Sequence, residues 1–116
     1  MLLKNSGIDF ERLKNEGIKH ERFSEMFMAS GLICNPNFRW IVFHGSFDFG
    51  YFLKLLSGND LPPNMKDFQT ILQMFFPKIY DVKHITEGIP GFNKSLRSFG
   101  EMLNVSFGNF GFKYLD

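Results

Sequence analysis

The segment Trp40–Leu56, WIVFHGSFDFGYFLKLL, constrains the fold more than any other part of the chain. Trp40, Ile41, Val42 and Phe43 form a contiguous apolar run rich in β-branched and aromatic side chains, which reads as a buried strand. Gly45 and Ser46 supply a tight corner. Beyond it the period changes, and Phe49, Phe52, Leu53 and Leu56 recur at helical spacing. A strand that turns directly into a helix belongs to an α/β layer architecture. Asp48 stands where the helix begins, at the carboxyl edge of the sheet. Open α/β sheets bind ligands at that edge.

The flanking segments fit the same architecture. Residues 2–16 are charged and mixed, and read as a surface helix or turn. Residues 20–30 read as a helix with Phe23, Met26, Phe27 and Ser30 on one stripe and Gly31 as its C-cap. Asn35-Pro36-Asn37 is a turn signal ahead of the strand, which is expected over Phe38–Phe43. Ser57-Gly58-Asn59-Asp60 and Pro62-Pro63 end the central helix. Phe68, Ile71, Leu72, Phe75 and Phe76 carry the clearest helical period, with Asn64 as N-cap, Asp67 in the first turn and Pro77 as the stop. Lys78–Val82 reads as a short strand that again ends near an acid. Asn93–Leu103 reads as a last helix with Leu96, Phe99, Gly100 and Leu103 on one side. Two strands are too few for this many amphipathic helices. Partner strands are therefore expected to lie outside these residues, and the open core face to favour self-association.

Bulk properties narrow the function classes. The chain has 116 residues, 44% of them apolar with 16 Phe, enough for one modest globular domain. A net charge of +1 gives no wide basic face, so any nucleic-acid contact must be local. No apolar run approaches the ~18 residues of a membrane span, and the start, MLLKNSGIDF, lacks a signal-peptide core. A soluble intracellular protein is expected. Cys34 is the only cysteine, which fits a reducing compartment, and it reads as a half-buried structural residue.

Few residues offer chemistry. Asp48 has two readings. It complements the helix dipole, worth about 0.3–1 kcal/mol, or it is a carboxylate ligand for a hard cation such as Mg²⁺. Asp81 follows a strand in the same manner, with N-capping of the next helix as its simplest role. Asp9-Phe10-Glu11 spells a two-carboxylate D-x-E motif, but no strand precedes it to deliver both acids to one face, so it reads as a decoy. His20, His44 and His84 have no metal-ligand spacing. His44 beside the corner reads as an ordinary hydrogen-bonded histidine that could shape the site. No P-loop, nucleophile elbow or zinc motif occurs.

LLKNSGIDF, RFSEMFMASGL, WIVFHGSFDFGYFLKLLSGNDLP and FFPKIYDVKHI together resemble the Caf-one/Pop-two-type poly(A) deadenylases, plant members above all. These are the smaller nuclease subunit of the CCR-four–NOT (CCR-NOT) complex. The resemblance spans residues 2–87, and residues 88–116 diverge. It implies a ribonuclease-H-like, DEDD-exonuclease α/β fold and removal of poly(A) tails from mRNA 3′ ends as 5′-AMP. It further implies two divalent ions, Mg²⁺ or Mn²⁺, held by four acids from three motifs, with a two-metal clamp on the phosphate. Asp48 matches the acid of the second motif, hence a catalytic and metal residue, whereas Asp81 matches a mainly structural position. The implied partners are the poly(A) mRNA tail and a helical scaffold subunit of the complex, with no membrane, in cytoplasm and nucleus.

The departures from the family pattern set the remaining expectations. The first motif, Asp-x-Glu-Phe-Pro-Gly, belongs upstream of Leu2, and Asp9 and Glu11 align with a later surface stretch. The third, near His-x-Ala-Gly-x-Asp, belongs after Leu103, where VSFGNFGFKYLD stands instead. The corner reads His44-Gly45-Ser46-Phe47 where relatives commonly show His-Ser-Gly-Tyr. The reading is a single partial exonuclease domain over 1–116, helices packed on a truncated sheet, incompetent in catalysis by itself. A scaffold-binding module without activity and a truncated gene product are the alternatives.

Overall fold

A computed structural model describes residues 7–92 and 95–105. In chain order they form α1 (Phe10–Glu16), α2 (His20–Ala29), β1 (Trp40–Val42), α3 (Ser46–Ser57), α4 (Met65–Phe75), β2 (Ile79–Asp81), α5 (Val82–Ile85) and α6 (Leu96–Met102). β1 and β2 are parallel, with Trp40 opposite Ile79, Ile41 opposite Tyr80 and Val42 opposite Asp81. A hairpin cannot join parallel strands, and α3 with α4 makes the crossover. Both strands therefore end at one carboxyl rim, Val42 beside Asp81.

The described residues fall into two compact units, one spanning residues 18–85 and the other drawing on residues 7–17 and those after 85. In the larger unit, α2 packs on α3 and α3 on α4. Ile33, Phe49, Leu56 and Phe76 form the buried cluster, with Phe23, Phe27, Trp40, Val42, Phe52 and Leu72 among the side chains around it. The cluster is largely aromatic. Phe76 meets Trp40 edge to face at 4.9 Å and Phe49 at the same centroid distance. Such pairs add about 0.5–1.5 kcal/mol beyond the area they bury. Trp40 Nε1 is buried with no hydrogen-bond partner among the described residues, a cost that this packing offsets.

Local chemistry sets the ends of the elements. Asn64 caps α4 by accepting from Asp67 N at 2.8 Å, and Gly58 closes α3 in the left-handed region at φ 66. In the smaller unit, Asp9 caps α1 from Arg12 N. Phe92 and Phe99 pack edge to face there. α6 ends in a Schellman turn, with Asn104 left-handed at φ 54 and Val105 N donating to Gly100 O.

Four expectations are corrected. The strand is shorter than Phe38–Phe43 and buries only one face: Ile41 is 72% exposed on the other, because no second layer covers it among the described residues. On α2 the inward side chains are Phe23, Ser24 and Phe27, with Met26 and Ser30 exposed. Ser24 Oγ donates to Leu55 O at 2.6 Å, which turns that edge of α2 toward α3. Cys34 is exposed. Its φ of 54 and the bond from its N–H to Phe75 O turn its side chain outward, while Ile33 takes the buried place. Leu103 is exposed because the reversal of the chain begins there. Asn93 and the tail 106–116 lie outside the described residues.

Candidate functional site

The corner between β1 and α3 spans only Phe43, His44 and Gly45. Such a short turn forces His44 into the left-handed region, φ 57, which costs a non-glycine residue free energy. Gly45 is the N-cap of α3 and makes no side-chain cap. Asp48 follows in the first turn, where a carboxylate complements the partial positive charge of the helix end. Its side chain is exposed at the carboxyl rim, and among the described residues nothing hydrogen-bonds to it or pairs with it.

Asp81 holds this corner from the end of β2. Its Oδ1 accepts from His44 N at 2.8 Å and its Oδ2 from Gly45 N at 3.0 Å. The same Oδ1 accepts from Lys83 N at 3.0 Å, so the carboxylate also caps α5. Burial pushes the Asp81 carboxyl toward the neutral form. The backbone N–H groups of His44, Gly45, Lys83 and His84 outweigh that and leave its pKa below the ordinary carboxylate value. Close by, Lys83 Nζ lies 5.6 Å from the Phe43 ring centroid.

The N-capping role expected for Asp81 is present. Its reach across to the corner is a feature that sequence reasoning missed. An acid at the end of a second short strand was the available signal. His44 takes part through its backbone N–H, and its imidazole makes no hydrogen bond among the described residues. Asp9 and Glu11 sit on α1 as a cap and a first-turn acid.

Among the described residues the donor set is incomplete as a metal site. Asp48 has the character of one hard-cation ligand, an exposed carboxylate with free oxygens. Among the described residues no group of three or more His, Cys, Asp or Glu could hold a metal. A separate groove of about 420 Å³ lies between α3 and the segment 61–68, with Phe47, Tyr51, Pro62 and Met65 among its walls. Asp48 does not line it.

Comparison with known proteins is consistent across sequence and structure. A family model described as CAF1 family ribonuclease matches residues 29–107. The chain is 39% identical over 104 residues to a probable CCR4-associated factor 1 homolog 7 from Arabidopsis thaliana, covering 90% of this chain and 38% of that protein. It is 36% identical to the poly(A) ribonuclease pop2 of Schizosaccharomyces pombe, over 90% of this chain and 31% of that one. The structure matches that of S. pombe Pop2p in its Mg²⁺- and Mn²⁺-bound form, with a TM-score of 0.82 and 36% identity over 90% of this chain and 42% of that one. It also matches the structure of the yeast NOT1 MIF4G domain co-crystallised with CAF1, with a TM-score of 0.80 and 28% identity over 89% and 42%. The chain thus spans 38% of the length of the Arabidopsis relatives it matches. Its fold is a partial ribonuclease-H-like α/β domain, helices on a truncated parallel sheet.

Proposed function

The chain belongs to the CAF1 family of ribonucleases, and from that premise we propose that its parent activity is the removal of poly(A) tails by 3′-to-5′ hydrolysis, releasing 5′-AMP. The observation that carries the reading is Asp48, an unengaged carboxylate in the first turn of a helix that starts at the carboxyl rim of a parallel sheet. In this reading Asp48 supplies oxygens to a divalent ion, Mg²⁺ or Mn²⁺, whose chemistry in the family is to activate water and stabilise charge on phosphate. Among the described residues no other side chains join Asp48 in a group of three or more that could hold a metal. One carboxylate leaves a hydrated cation weakly bound. In this reading the 116 residues by themselves are catalytically incompetent. The test is incubation with end-labelled poly(A) and Mg²⁺. No shortening is expected, and shortening that disappears in D48A would overturn the claim of incompetence while strengthening the parent assignment.

A second reading is favoured by the match to a CAF1 co-crystallised with the NOT1 MIF4G domain. Here the chain serves as a module that docks on the scaffold of the deadenylation complex in cytoplasm and nucleus. Pull-down of the chain by an isolated MIF4G domain, without nuclease activity, is the outcome this reading expects. Absence of capture at micromolar concentrations of both would end it.

A further inference from the structure

We propose that Asp81 is a positioning residue for Asp48: the carboxylate that ends β2 sets the β1–α3 corner, and through it the helical turn that carries Asp48. The inference rests on the reading of Asp48 as a functional carboxylate and concerns what holds it in place.

Three observations converge on this role. First, α3 begins without a cap of its own. α1, α4 and α6 are capped by the side chains of Asp9, Asn64 and Ser95, whereas the residue in that place on α3 is Gly45, which has none to offer. Second, the anchor that the corner does have comes from the other strand. Both oxygens of Asp81, 36 residues away from Gly45 in sequence, engage the successive N–H groups of His44 and Gly45. With His44 left-handed at φ 57, two successive N–H groups in a turn face one acceptor. Concavities of this kind bind anions, and here the anion is part of the chain. Charge-assisted bonds to backbone N–H groups are the strong class of hydrogen bond, which offsets the strain at His44.

Third, the corner is coupled directly to the helix. Phe49 N donates to Gly45 O at 2.9 Å, across the turn that contains Asp48. Releasing Gly45 therefore loosens the segment on which the Asp48 carboxylate is mounted. The register Val42 opposite Asp81 is what brings the anchor within reach. A carboxylate is needed at this position, because an amide of the same shape turns one donor NH₂ toward a backbone N–H that is itself a donor.

The test is D81N in the isotopically labelled 116-residue chain, followed by amide hydrogen exchange and by Mn²⁺ line broadening. The expected result is exchange about tenfold faster at His44, Gly45 and Phe49, with a smaller acceleration at Leu56 and Phe76. In the same variant, Mn²⁺ broadening centred on Asp48 requires at least about threefold more metal. Unchanged exchange at Phe49 overturns the proposal. So does equal acceleration at Leu56 and Phe76, since Asp81 would then support the whole unit and not the corner. D81E, which keeps the carboxylate, is expected to restore part of the protection at Gly45. No localised Mn²⁺ broadening in the unsubstituted chain overturns the cation reading of Asp48, an outcome recognisable because the exchange difference at the corner persists.

Discussion

Gly45 and Val42 approach so closely that a Cβ on Gly45 would lie 2.8 Å from Val42 Cγ2 and 2.9 Å from Val42 Cβ. Real Cβ atoms do not sit at such distances, and Val42 is a poor candidate to yield. Its Cβ is fixed to the strand, its χ1 is restricted by branching, and it packs against the core cluster. G45A is therefore expected to displace the corner and destabilise the chain by about 1–3 kcal/mol, the cost of overpacking. Urea unfolding checks this, with a lower midpoint and an unchanged slope as the expected result. The requirement at 45 is for space, because its φ of −84 suits any residue.

Phe76 is the linchpin of the aromatic cluster, at 1% exposure, with Trp40, Phe49, Phe52 and Phe75 rings around it. F76A removes the ring that all of them share. The expected cost is about 3–5 kcal/mol, a large share of the stability of a domain this small. Trp40 is the only tryptophan, and its ring centroid lies 4.9 Å from that of Phe76. Its fluorescence is thus a direct reporter, expected to show an unfolded or loosened population in F76A at 25 °C.

Acid should weaken the corner by a mechanism particular to Asp81. Its folded pKa lies below the ordinary carboxylate value, so the folded state binds fewer protons at this group than the unfolded chain. The resulting stabilisation is fully present above the unfolded pKa, near 3.9. It is lost as pH falls from there through the folded pKa. D81N removes this contribution at every pH. The unfolding midpoint of the native chain is expected to fall more steeply than that of D81N below about pH 4, and parallel curves would contradict the clamp.

The helices were legible where packing follows a single period. Phe68, Ile71, Leu72, Phe75 and Phe76 are all at least half-buried on α4 and its cap, because one continuous face turns inward. α3 read equally well, with Phe49, Leu53 and Leu56 buried as their spacing predicts. On α2 the stripe was displaced toward Ser24, since periodicity finds a face but not which flank a hydrogen bond to Leu55 will favour. The outward turn of Cys34 depends on a left-handed φ, which leaves no mark in an apolar run. The Asp81 clamp requires the parallel pairing of β1 and β2, a non-local fact that no window contains. Asp48 was conspicuous as an acid at a strand-to-helix corner, but its metal role came from resemblance. A first-turn acid that complements a dipole has the same local pattern.

Those two roles for Asp48 separate in one variant. The carboxylate makes no hydrogen bond or ion pair among the described residues, so D48A loses only the favourable interaction with the helix end, about 0.3–1 kcal/mol. For a domain of this size that lowers Tm by a few degrees at most. If Asp48 serves a cation, the same substitution abolishes Mn²⁺-dependent line broadening at the amides of Phe47 and Phe49 in a chain that remains folded. D48N is expected to behave alike, because a neutral amide oxygen is a much weaker partner for a hard cation than a carboxylate. A loss of stability well above 1 kcal/mol with Mn²⁺ broadening untouched would assign Asp48 to the framework of α3 instead.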